Sequence, residues 1–235
     1  MDRTDSTNQR TLGKFTYLLG SLLALLIVAA FIGNDRVSVT VFCLLVATVL
    51  LTAVVSVCRR HRTLYIGLAL AIPIVILNVA GYVTGNAAVF VIHNIMVVGF
   101  FAFVSYHSMC ALLDDREVTL DTIVGAICLY LLAGLLWTYL YATIILISPT
   151  AFQLAITVDL PSASPFGKAG FQQLAYLSFV TMTTLGYGDI TPVSAPAQTA
   201  SYLQAVFGQF FLAVLVARLV TLYIAEVTAR RQDNA

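Results

Sequence analysis

Charge is scarce in this chain: 12 Lys and Arg and 11 Asp and Glu among 235 residues, 10% in all, against 60% hydrophobic. So few polar groups cannot cover a soluble domain of this length, and lipid must serve as the solvent. A formal net charge of +1 leaves no electrostatic footprint for nucleic acid. Cysteine is sparse too. Cys43, Cys58, Cys110 and Cys128 are scattered through apolar runs with no CxxC pair. That argues against a zinc site or disulfide framework and leaves small buried side chains as the reading. Convergent catalytic groups are missing, since the polar residues lie in loops or singly in apolar runs, so neither an enzyme nor a cofactor is expected. The glycines of "NVAGYVTGN" have no phosphate-loop lysine near them and read as a turn.

Long apolar runs are what the chain does have. A bilayer-crossing helix needs about 20 mostly apolar residues. Phe15–Gly33, Val37–Cys58, Leu64–Val83, Ala87–Leu113 and Ile123–Ser148 meet that length, and a sixth run extends from Pro196 to Ala229. Pro73 is expected to kink the third run. Between the last two lies "PTAFQLAITVDLPSASPFGKAG", whose prolines, glycines, serines and charges predict an exposed loop. It leads into "FQQLAYLSFVTMTT" (Phe171–Thr184), apolar but too short to span, as a re-entrant helix would be. The expected fold class is therefore an all-α membrane protein with six transmembrane helices and one re-entrant segment.

Basic residues set the orientation. With a cytoplasmic N-terminus, Arg3, Arg10, Lys14, Arg59, Arg60, Arg62, Arg116, Arg218, Arg230 and Arg231 lie inside and only Arg36 and Lys168 outside. The expected topology has both termini in the cytoplasm. The first apolar run exceeds the 7–15 residues usual for a secretory signal core, so an uncleaved anchor is expected.

"TMTTLGYGD", Thr181 to Asp189, is a poor helix and an unconvincing strand. In hydrocarbon, irregular backbone survives only where protein buries it or where it lines a watery path. Gly186 and Gly188 can take the positive-φ conformations closed to most residues. Alternating such conformations points successive carbonyls the same way, and the Thr184 hydroxyl can extend that ladder. A ladder of carbonyl oxygens can replace the water shell of a potassium ion.

The segment resembles the selectivity filter of the potassium channels, with Leu185 in place of the valine of TVGYG. "FVTMTTLGYGD" is similar to the pore of voltage-gated members, with Val180 where some bacterial channels carry a glutamate. With "AICLYLLAGLLWTYLYATI", "SPTAF" and "GQFFLAVLVARLV", it resembles the two-helix pore module of bacterial ion-channel proteins. The resemblance implies a filter of Thr184, Leu185, Gly186, Tyr187 and Gly188, with K+ held by the carbonyls of Thr184 to Tyr187. It also implies a pore helix over Phe171–Thr183 whose partially negative C-terminal end faces a cation cavity. Thr183, Asp189 and Tyr176 would support the filter. Family members often brace it with two adjacent tryptophans. Here Tyr176 can still bond Asp189, but Leu177 offers Tyr187 no hydrogen bond, which puts filter rigidity in question. One filter segment cannot encircle an ion, so a homotetramer in a bacterial inner membrane, with K+ and lipid as partners, is implied.

The division expected is a cytoplasmic arm (1–14), a four-helix transmembrane bundle (15–113), a pore domain (114–229) and a cytoplasmic tail (230–235). Voltage sensing by the bundle would need positive residues at every third position of the fourth helix. No Lys or Arg occurs from Thr63 to Asp115, so no conventional sensor is expected. From the length of the two tails, no attached ligand-sensing module is expected either. His93 and His107 are candidate proton sensors; the alternative for these and for the other polar residues of the third and fourth runs, Asn78 and Asn94, is inter-helix hydrogen bonding, favoured because neutral histidine is tolerable there and no acidic partner is visible. Gly208 is either a hinge or a close-packing residue of the last helix. Arg218 would snorkel or pair with Asp114, Asp115 or Asp121, and Glu226 and Arg230 would form a surface pair. The function expected is passive, potassium-selective conduction that is not conventionally voltage-gated. The alternatives are a non-conducting scaffold or sensor with a pore-like fold, and a weakly selective cation channel.

Overall fold

The computed structural model describes residues 14–31, 36–57, 61–114, 119–154 and 168–233. Its elements are α1 (Lys14–Phe31), α2 (Arg36–Val57), α3 (His61–Thr84), α4 (Ala87–Asp114), α5 (Leu120–Ile147), β1 (Phe152–Leu154), α6 (Lys168–Met182), β2 (Ile190–Pro192) and α7 (Ala195–Asp233). Among the described residues, four stretches are long and apolar enough to cross a membrane: Thr63–Gly81, Ala88–Leu112, Asp121–Ile147 and Ala195–Arg218. Shorter apolar stretches, Phe15–Ala29 and Val41–Ser56, lie in α1 and α2.

Helix ends follow local chemistry. Thr119 caps α5 through a reciprocal box with Thr122. Ser194 caps α7 by accepting from the Ala197 amide at 3.4 Å. The turn between α3 and α4 is confined to Gly85, at φ +63°, and Asn86, whose Oδ1 accepts from the Ala88 amide at 2.9 Å. Most of "NVAGYVTGN" is thus helical rather than turn. Helix α3 runs on through Pro73.

The fold is all-helical apart from one short antiparallel pair, β1 with β2, Phe152 opposite Pro192 and Leu154 opposite Ile190. One expectation needs correction: the loop after α5 is exposed at Pro149 and Thr150, but Ala151 and Phe152 are buried. Phe152 meets the Tyr141 ring edge-on at 5.4 Å, so this short apolar stretch folds back onto α5. Helix α6 begins at Lys168, earlier than the expected Phe171, and residues 155–167 lie outside the described part.

A continuous core joins α1 through α6, with Leu18, Leu22, Val49, Ile74, Phe100, Leu132 and Phe171 among its members. A second cluster gathers Tyr141, Phe152, Leu174, Leu177, Ala197 and Ala200 where α5, α6, α7 and β1 meet. Outward faces stay apolar, as at Val55, Tyr65, Ile76 and Ile95, which suits contact with acyl chains.

Candidate functional site

Helix α6 ends at Met182, and the backbone from Thr183 to Asp189 is irregular. Three of its residues lie in the left-handed region at alternate positions: Thr184 at φ +59°, Gly186 at +54° and Gly188 at +80°. Glycine accepts this without steric cost, whereas a left-handed threonine costs roughly 1–2 kcal/mol. Backbone amides of the segment turn back on α6. Leu185 and Gly186 both donate to the Val180 carbonyl, at 3.0 and 3.4 Å, and Thr184 donates to Thr181 at 3.0 Å. Donors on this side are thus occupied within the chain. The side chains of Thr183, Thr184, Leu185 and Tyr187 are exposed.

The far end of the segment is anchored by other bonds. Asp189 accepts from the Ile190 amide at 3.1 Å and from the Tyr176 hydroxyl at 2.7 Å. The Tyr176 ring lies parallel to Tyr187, centroids 6.3 Å apart. The Asp189 hydrogen bond pushes the Tyr176 phenol up to about 12, because losing its proton would set two negative oxygens side by side. Immediately after Asp189, β2 pairs with β1, and the Ala151 carbonyl accepts from Val193 at 2.8 Å. The segment is tied to α6 below and to the end of α5 above.

Behind it lies a buried polar group that composition did not reveal. Gln204 of α7 donates to the Ser178 carbonyl at 2.9 Å and to the Ser178 hydroxyl at 2.8 Å. Tyr141 of α5 donates to Gln204 Oε1. Ser178 and Thr138 donate to the Gly134 carbonyl at 2.7 and 2.8 Å. Tyr141, Ser178 and Gln204 are each 0% exposed. The signal in the sequence was a lone glutamine inside the apolar run "SYLQAVFG", since a polar group at membrane depth needs a partner.

One helical turn beyond Gln204, a Cβ on Gly208 would fall 2.3 Å from the Met182 carbonyl oxygen. Glycine here permits close approach of two backbones, and α7 is continuous across it. This accounts for the residue without a hinge.

The two histidines do not form one site. His93 is buried between Asn78, whose Nδ2 lies 3.3 Å from its Nε2, and Asn94, whose Oδ1 lies 3.2 Å from its Nδ1. Cys43 donates to the Asn78 Oδ1 at 2.9 Å, continuing the chain onto α2. His107, half-buried and nearly four turns further along α4, lies against the rings of Phe103 and Tyr106. Arg218 borders an apolar cavity of about 220 Å³ beside Leu112, Leu129 and Phe211. The side chains of Asp114, Asp115, Glu226 and Arg230, invoked above as pairing partners, lie outside the described residues.

Residues 140–225 match the family model described as "Ion channel". The match supports an ion-channel family. It covers the end of α5, all of α6, the irregular segment and most of α7, including Gln204 and Gly208. No curated protein and no solved structure matches the chain. Several apolar helices together with this domain support a multi-pass membrane protein engaged in ion transport. A channel domain also speaks for a non-enzyme.

Proposed function

We propose that the protein is a potassium-selective channel subunit whose filter is Thr184, Leu185, Gly186, Tyr187 and Gly188. The observation that carries this reading is the alternation of left-handed residues at 184, 186 and 188, with the Leu185 and Gly186 amides turned back on Val180. Such alternation leaves carbonyl oxygens on the opposite side, where they can replace ion hydration. Thr183, Tyr176 and Asp189 serve as supports behind the filter. Selectivity for K+ over other cations belongs to this reading, as do six spans with cytoplasmic termini in a bacterial inner membrane.

A single copy presents only one wall of the pathway. Tyr187 and Leu185 are 67% and 55% exposed, which suits burial by further copies. Four copies about a central axis complete the ring, in keeping with closed cyclic assembly. Conduction is passive and single-file, and helices α1 to α4 act without gating charges. His93 lies among neutral partners, which favours inter-helix hydrogen bonding over proton sensing.

The test is cation flux through the purified protein in liposomes, with potassium and sodium gradients compared at about pH 5.5 and 7.5. Potassium-selective flux is expected, equal at the two pH values, and absent from Gly186→Ala. A Cβ at 186 meets nothing within 4 Å in the chain, so this substitution acts through the +54° φ. Selective flux that survives Gly186→Ala would refute the filter assignment. A steep pH dependence lost in His93→Gln would make His93 a sensor.

A further inference from the structure

Lipid is as apolar as leucine, so helices within it are held by close contact and by hydrogen bonds between them. Helix α6 meets α7 through one of each, on successive turns. Ser178 is bonded to Gln204, and four residues later on both helices the Met182 carbonyl lies against Gly208. The first contact is fixed in direction. The Ser178 carbonyl can only accept, so the amide nitrogen of Gln204 must face Ser178, which leaves Oε1 to take the Tyr141 hydroxyl proton. The Ser178 hydroxyl gives its proton to Gly134 and accepts from Gln204 with a lone pair. Every polar atom of Gln204 is thereby satisfied in a buried setting, where an unmade bond costs most.

Two residues beyond Ser178 stands Val180, whose carbonyl takes the amides of Leu185 and Gly186. Height and rotation of α6 therefore set where that carbonyl stands, and through it the backbone at 185 and 186. We infer that Gln204 is a positioning residue for segment 184–188, clamping the pore helix to the inner and outer helices so that the filter keeps a potassium-sized spacing. The inference rests on the pore reading above. It assigns selectivity to a side chain that never touches an ion.

Two variants of the full-length protein test it. Gln204→Met removes the clamp and takes from the Tyr141 hydroxyl its Gln204 acceptor, leaving it Ser201 and Thr181. Gln204→Met with Tyr141→Phe removes the clamp and that hydroxyl together. Both should stay tetrameric, with the potassium-to-sodium flux ratio lowered roughly tenfold, the scale of one buried hydrogen bond. Hydrogen exchange at the Leu185 and Gly186 amides should quicken in both, with exchange in α5 unchanged. A tetrameric double variant with the wild-type flux ratio would overturn the inference, whatever its exchange. So would wild-type exchange at 185 and 186. Should the wild type show no potassium preference, the pore reading fails, and exchange alone then decides whether Gln204 positions the segment. Should the double variant not assemble, Ser178→Ala, which keeps the Gln204 bond to the carbonyl, should give a smaller shift of the same sign; no shift overturns the clamp.

Discussion

Tyr176 illustrates how much one side chain can carry beside the irregular segment, where a second brace is lacking. Its hydroxyl holds Asp189 and its ring lies flat along Tyr187, while neighbouring Leu177 is turned into the core between α5 and α6. The phenol's value is raised from 10 to about 12, so the bond's contribution is fully present below pH 10 and lost as pH climbs through about 12. At any ordinary pH the contact is therefore made. Tyr176→Phe keeps the ring and removes the bond. Potassium flux is expected to start near the wild-type rate and to decline faster over minutes, read from the flux time course. An unchanged time course would mean that Asp189 is held well enough by its own turn. Thr184 is the other residue of note, the one side-chain-bearing residue with positive φ among those described. Such strain persists where the surroundings over-determine it, and it clusters at functional segments.

Among the elements, α7 matters most because its buried stripe of Ala197, Ala200, Gln204, Gly208 and Phe211 faces the rest of the chain at helical spacing. Gly208→Ala sets a methyl against the Met182 carbonyl and must push α7 away from α6. The expected cost is about 1–3 kcal/mol, the usual range for overpacking, seen as a lower unfolding temperature of the detergent-solubilised protein. A hinge would predict something else, altered flux with unchanged stability. The helices themselves were legible in the sequence, since unbroken apolar runs of spanning length leave the backbone little alternative to a helix. So was the irregular segment, because paired glycines at 186 and 188 advertise positive φ. The β1–β2 pair was not legible. Phe152–Leu154 looked like loop beside Pro149 and Ser148, and only the return of the chain at Ile190 gives those amides a partner. The role of Gln204 was not legible because its partners, Ser178 and Tyr141, stand 26 and 63 residues away in sequence.

At the scale of the whole molecule, one chain is a wall without a pore. Its irregular segment exposes Leu185 and Tyr187, and the neighbouring face of α7 exposes Tyr202, Val206 and Phe210. Apolar surface beside the irregular segment is what the proposed assembly of further copies would cover. The first four helices share a continuous core with α5 and α6, so they pack onto those helices instead of hanging beside them. What passes along the axis of the proposed assembly decides the potassium reading. The most direct measurement is the reversal potential in a planar bilayer, with potassium chloride on one side and sodium chloride on the other. A potassium filter predicts a large displacement of that potential towards the potassium equilibrium value. A reversal potential near zero, from protein shown to be tetrameric, would contradict it.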